Sequence, residues 1–395
     1  MNFNKELHYA FTLSRQCMRI VGIWPDLDVP LNVCRRPKIA FIFATCIMTL
    51  YVLIPQVLNL LRTSGKSVSQ MVELFVAPNI TFMAICKLII TKYHGDKLRI
   101  LIASSMTDLM TSKNNWERNT MLNLVRTGRK ISITYFVIAI AIIIFACYIR
   151  LENVFQNIHQ PRRYLVYRFD YIQKSPNYEI TCFIQICGAI YAIFGNYSVD
   201  SFISILLLHI CAQLINLRTA LNNLINKLNN KPISSSKFKK GLAAIIVRHE
   251  YLIRNVKTIN DCYSSVLCIH VLCGSFQLCL VAFQTSTMIA DNSNVHLIKI
   301  IFLAIYISFI LTQLYVYCYA AERLLMESTN MAFGMYECKW YNIPAKDAKD
   351  LMLIVYQSAI SLKLTAGIFG NFSMELFGIA IKTTMGYLSA LLTIA

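Results

Sequence analysis

Seven apolar segments divide this chain, and the Lys and Arg residues between them alternate between sparse and crowded. The stretches 62–71, 150–177 and 291–299 together hold only eight of the 38 Lys and Arg. Nearly all the others fall in 1–38, 92–130, 218–261 and 322–363. A run of about 20 apolar residues is long enough to cross a bilayer. Basic residues accumulate on the cytoplasmic side of the spans. The alternation therefore predicts an all-α membrane protein with seven transmembrane helices, its N-terminus cytoplasmic and its C-terminus extracellular. That orientation is the reverse of a G-protein-coupled receptor and argues against a metabotropic function.

The chain is 56% hydrophobic and 15% charged, whereas a soluble chain carries about a quarter charged residues. A net charge of +18 would suit a nucleic-acid binder. Here the distribution accounts for it: the basic loops face an anionic leaflet, so the bilayer is the partner and nucleic acid is not. No cleavable leader is expected. The first 38 residues carry Lys5, Arg15, Arg19, Arg35, Arg36 and Lys38 without an apolar core, and the first span should serve as its own insertion signal. The three sparse loops contain none of the 14 cysteines. Cys262, Cys268, Cys273 and Cys279 are spread along one apolar segment without a close pair of the zinc type. They read as small hydrophobes, and no metal or other cofactor is expected.

The segments place helix one at 39–61, with a kink at Pro55, and helix two at 71–91, containing Pro78. Helix three falls at 131–149, helix five at 262–290 and helix six at 300–321. Helix seven lies within 364–395, preceded by an amphipathic approach over 346–363. Helix four begins near Tyr178. Between Ile180 and Leu217 its only charged side chain is Asp200, so it could be counted as two spans. One long helix keeps the charge alternation consistent from end to end. Leu207, Ile210, Leu214, Leu217, Leu221, Leu224 and Leu228 follow a 3,4 spacing, a heptad seam three repeats long. Asp200 should sit near the inner boundary, so the seam projects into the cytosol and needs a partner. Candidates are the segment 238–265 of the same chain and the same region of another subunit.

Enzyme signatures are missing. His249-Glu250 lacks the second His of a zinc protease, and there is no phosphate or dinucleotide loop. Sequons at Asn79, Asn196 and Asn371 all fall in expected membrane segments and should stay unmodified. Intramembrane charges are costly and often functional. Glu73 and Lys87 lie near opposite ends of helix two, where snorkelling would explain them. Glu375 and Lys382 are seven residues apart, close to two helical turns. They share a face of helix seven, which suggests a wet lining or an inter-helix pair.

The C-terminal fifth resembles the insect odorant receptors. The run Tyr317-Cys318-Tyr319-Ala320-Ala321-Glu322 opens the similarity, followed by Glu327-Ser328 and Tyr336-x-x-x-Trp340. It resumes at Ala366-Gly367-x-Phe369 and Met374-Glu375-Leu376-Phe377, and closes on Lys382-Thr383-Thr384-x-x-Tyr387. Gly22-Ile23-Trp24-Pro25, Ser175-Pro176-x-Tyr178-Glu179 and Arg248-His249-Glu250 extend it more diffusely. Ala321 and Gly386 depart from the usual family residues. A gustatory-type channel is the nearest alternative; a metabotropic receptor or a transporter fits less well.

The resemblance implies an odorant-binding subunit of a ligand-gated, non-selective cation channel, built as a hetero-tetramer with the odorant co-receptor in the plasma membrane of an olfactory neuron. A short loop at 218–261 suits a tuning subunit, since the co-receptor has a long insertion there. The resemblance divides the chain into a cytoplasmic 1–38, helices one to four in 39–217 and a helical inter-subunit anchor at 218–261. Helices five and six follow in 262–321, then a cytoplasmic 322–363 and a pore-lining 364–395. Subunit contacts are expected at Leu214, Leu217, Leu221, Leu224, Tyr336 and Trp340.

A small, volatile, apolar ligand needs an apolar, aromatic pocket with few polar anchors. The outer halves of helices two, three, four and six offer Phe75, Asn79, Phe145, Tyr148, Phe183, Tyr191, Phe302 and Tyr306. Asn79 beside Pro78 is the preferred polar anchor. Helix seven offers Tyr387 at its outer end, with Ala390 and Ile394 at the family's hydrophobic gate positions. A ring of such side chains closes a pore by dewetting. The small Ala390 leaves more of the constriction to co-receptor subunits.

Overall fold

The computed structural model describes residues 3–24, 35–61, 68–112, 114–156, 177–230, 234–290, 297–338, 340–358 and 361–394. Most of the three expected outer loops, and Ser175-Pro176, lie outside them. The elements are α1 (Phe3–Val21), α2 (Arg35–Ile47), α3 (Ile54–Leu61), α4 (Val68–Tyr93), α5 (Gly95–Thr111), α6 (Asn115–Gln156), α7 (Asn177–Asn230), α8 (Ser235–Ala290), α9 (Leu297–Glu337), α10 (Ala345–Ser358) and α11 (Met374–Ile394). Among the described residues, seven helical stretches are long and apolar enough to cross a membrane.

The first of these is interrupted. A π-helical turn, Met48–Leu53, joins α2 to α3. Pro55 has no N–H to give, and its ring crowds the preceding turn. The widened turn re-routes the ladder, with the Ile54 N–H donating to the Thr49 carbonyl. In a membrane such carbonyls cannot turn to water, so a π turn is one of the few remedies.

The single-helix expectation for 178–217 holds. α7 runs unbroken for 54 residues, about 81 Å at 1.5 Å per residue against a hydrocarbon core of about 30 Å. Its most apolar stretch is 94% buried, while that of α11 is 11% buried. Helix four is thus the core around which the others pack, and helix seven lies at the edge. α6, α8 and α9 outrun their expected lengths because the helix continues beyond the apolar stretch in each. Hydropathy sees only the lipid-crossing part.

The heptad seam finds its partner inside the chain. Leu214, Leu217 and Leu221 are buried, in one core cluster with Phe238, Leu242, Ile245 and Leu252 of α8. Leu224 packs on Gly241, where an added Cβ would approach its side chain to 2.9 Å. Only residues 231–234 separate α7 from α8, and so short a connection forces antiparallel neighbours. Of the two candidate partners, the segment 238–265 of the same chain is the one that covers the seam within a single chain. Tyr336 (67% exposed) and Trp340 (43%) do remain uncovered.

Two glycines fix junctions that the motifs marked. Gly22 ends α1 at φ +78°, where a Cβ would stand 2.3 Å from the Pro37 carbonyl oxygen. Gly367 sits at φ +58° in the turn before α11, its Cβ direction 3.3 Å from Cys268. That turn closes through Ala366 N–H to Gly370 O (2.7 Å) and Phe372 N–H to Leu364 O (2.8 Å). Asn371 pairs with Thr365 in an isolated antiparallel bridge. It therefore precedes the helix rather than lying inside it, contrary to expectation.

Candidate ligand site and a buried charge cluster

Pro78 breaks the α4 ladder beside Asn79, and Asn79 turns its amide toward α8. Its Nδ2 donates to the Cys273 carbonyl (2.8 Å) and to Gln277 Oε1 (2.6 Å). Gln277 Nε2 donates to the Val76 carbonyl (2.8 Å) and to the Tyr306 hydroxyl (2.7 Å). Asn79, Gln277 and Tyr306 thus join α4, α8 and α9 in one polar group. Aromatic rings flank it: Phe302 stacks on Tyr306 with centroids 5.9 Å apart. Phe75, one turn before Asn79, meets the edge of Phe276 at 6.2 Å.

Four of the eight candidates, Phe75, Asn79, Phe302 and Tyr306, are drawn together here. The other four are not. Tyr148 (50% exposed) and Phe183 (68% exposed) point away from the chain's interior. Phe145 is half-buried, and Tyr191 packs against the main core. Gln277 and Phe276 escaped the sequence reading. Gln277 was visible as one of two amides, with Gln284, in a segment free of charged residues, but nothing in its spacing joined it to Asn79.

Deeper in the bundle lies a charge cluster. Lys87 Nζ donates to Asp200 Oδ1 at 2.6 Å, and both side chains are buried. The Tyr317 hydroxyl donates to the same oxygen (2.6 Å), and the Tyr135 hydroxyl to Oδ2 (3.0 Å). Snorkelling does not describe Lys87: it is 1% exposed. A carboxylate on the central helix gives its charge a partner, at less cost than reaching lipid head groups. The Glu73 side chain lies outside the described residues.

A third group joins Asp108, on α5 and outside the candidate spans, to His209 of α7 and Arg248 of α8. Arg248 Nη2 meets Asp108 Oδ2 at 2.6 Å, and His209 Nε2 approaches it at 3.7 Å. Burial works to raise the Asp108 carboxyl. His209 and Arg248 outweigh it and hold the group below its ordinary value. Arg248 also donates to Gln213 Oε1 (3.1 Å) and lies over the Tyr251 ring at 4.8 Å.

The profile of the 7tm Odorant receptor family matches residues 67–385. The chain belongs to that family. Odorant receptor 13a of Drosophila melanogaster is 23% identical over 335 residues, covering 79% of this chain and 78% of its own. The odorant receptor coreceptor of Anopheles gambiae is 29% identical over 147 residues. That match spans 37% of this chain but only 30% of the coreceptor's length. The structure of olfactory receptor OR5 from Machilis hrabei in complex with eugenol superposes with a TM-score of 0.84 at 13% identity. It covers the whole of both chains, so the fold is that of an olfactory receptor.

In this chain the C-terminal motif residues contact the segment that leads into α11. Tyr317 packs its ring on Phe372, 5.7 Å between centroids. Glu322 Oε2 accepts the Met374 N–H (3.1 Å), a carboxylate at a helix N-terminus where the dipole favours it. Ser328 Oγ accepts the Leu362 N–H (2.8 Å). Along α11, Glu375, Lys382, Tyr387 and Ala390 are exposed, and Ile394 is its last residue.

Proposed function

We propose that the chain is the odorant-binding subunit of a ligand-gated, non-selective cation channel assembled with the odorant co-receptor. The observation that carries this is the Asn79–Gln277–Tyr306 group with its flanking rings, placed where three membrane helices meet in a member of the odorant receptor family. A ligand site for a small apolar molecule requires few polar anchors in an aromatic wall, and this arrangement supplies them. The four-residue connection from α7 to α8 favours a tuning subunit over the co-receptor. The sparse coverage of α11 favours a helix completed by other subunits around a pore. The charge alternation supports a cytoplasmic N-terminus and an extracellular C-terminus in a plasma-membrane protein.

Co-expression with the odorant co-receptor under voltage clamp, with a panel of small volatiles, tests this. Odour-evoked cation currents that need both chains are expected. Currents from this chain alone, or none with the co-receptor present, would sink the assignment.

A further inference from the structure

The polar groups inside the membrane are not scattered. Beside a hydroxyl cluster of Ser14, Ser132, Tyr197 and Ser201, three levels each tie α4 to α9. The upper level is Asn79, Gln277 and Tyr306. At the middle level, Asn196 Nδ2 on α7 donates to the Ile80 carbonyl (3.1 Å) and its Oδ1 accepts from Gln313 Nε2 (3.3 Å). The lower level is Lys87, Asp200, Tyr135 and Tyr317. On α9 the three contributors are Tyr306, Gln313 and Tyr317, spaced seven and four, which is one stripe of a helix. On α7, Asn196 and Asp200 are four apart. The stripe begins at the ligand site and ends on Tyr317, whose ring rests on Phe372, two residues before α11 begins.

We propose that Tyr317, with Asp200 as its anchor, is the positioning residue through which movement of α9 at the ligand site reaches the pore helix. This rests on the channel reading above. The chemistry of the lower level separates what can move from what cannot. Asp200 is a buried anion, and removing Lys87 would leave an uncompensated charge, a strongly unfavourable change. Withdrawal of the Tyr317 hydroxyl leaves the charge pair intact, with Tyr135 still bonded to the other carboxylate oxygen. A neutral donor is thus the contact that breaks and re-forms at modest cost. When it does, the ring that contacts Phe372 shifts with it. The Lys87–Asp200 pair stays as the fixed point against which α9 slides.

The test is Tyr317→Phe, which keeps the ring and removes only the hydroxyl, measured with the co-receptor under voltage clamp and normalised to surface labelling. A contact that biases gating shifts the balance between closed and open states whatever the ligand. The half-maximal concentration should therefore move by one common factor, about 3–10-fold, for agonists of different shape. Unliganded current should change in the linked sense, rising if the half-maximal concentration falls and falling if it rises. Asn79→Ala should instead shift agonists unequally. If Tyr317→Phe fails to reach the surface, Phe372→Leu replaces it, with the same common shift expected. Shifts that differ between agonists, or no shift at full surface level, overturn the proposal. Failure of wild-type currents would instead overturn the channel reading itself.

Discussion

Gln277 uses its amide oxygen and both protons of its amide nitrogen, and each bond goes to a different neighbour. Truncation to Ala removes one hydrogen bond from Asn79, which keeps the Cys273 carbonyl, and one from Tyr306, a loss of about 0.5–1.5 kcal/mol for each bond. Gln277→Ala should raise the half-maximal odorant concentration by about 5–30-fold, read from concentration–response curves. Tyr306→Phe should do less, since one bond is lost and the stack on Phe302 remains. Asp108 gives a pH test in purified protein. Its carboxyl is held below its ordinary value, so its stabilisation is fully present above about pH 4. It is lost as pH falls through the depressed folded value. Asp108→Asn should lower thermal stability at pH 7 by about 1.5–3 kcal/mol, and wild type and variant should converge in strong acid. A constant difference down to pH 2 would count against the ion pair. At this scale the sequence disclosed Asn79 and Tyr306 because each stands out in its own segment. It hid Lys87, because helix ends commonly carry lysines that reach lipid head groups. Only the neighbouring helix reveals that a carboxylate stands opposite.

The turn at Leu364–Phe372 is an element with one conformational demand. Gly367 holds φ +58° with α8 directly behind it. A β-branched residue there is strained by its backbone and meets Cys268. Gly367→Val should reduce channel current well beyond any loss of surface label, because α11 would start from a displaced position. α11 carries the second element-scale test. Replacing Ile394 by Ser should raise unliganded current if its last turn lines a dewetting gate, and unchanged basal conductance would argue against that role. Element existence was legible from hydropathy, since seven apolar segments became seven spans. Their continuations beyond the apolar stretches were not, because a helix end in water needs no apolar run. Nor was the destination of the Leu214–Leu224 seam. A 3,4 spacing states that a partner exists, and only the four-residue link to α8 decides which one.

Across the whole molecule, charge alternation is the argument for the proposed orientation. An epitope at the N-terminus should be stained only after permeabilisation, and one at the C-terminus on intact cells. The opposite pattern would invert every loop. Within the bilayer there is no hydrophobic gain in bringing one helix against another, so packing and polar contacts hold the bundle together. That is why α7, 94% buried, can carry Asn196, Ser201 and Asp200 without meeting lipid.

α11 lies at the other extreme, and its 11% coverage bears on the chain's life before it ever meets an odorant. A newly made copy holds its last helix with little of itself around it, and its Glu375 and Lys382 are exposed. Such a copy presents an unfinished surface, and exposed charge is costly wherever it meets lipid. On the channel reading proposed above, partner subunits would do more than complete a conduction path: they would cover the charges that a lone copy leaves exposed.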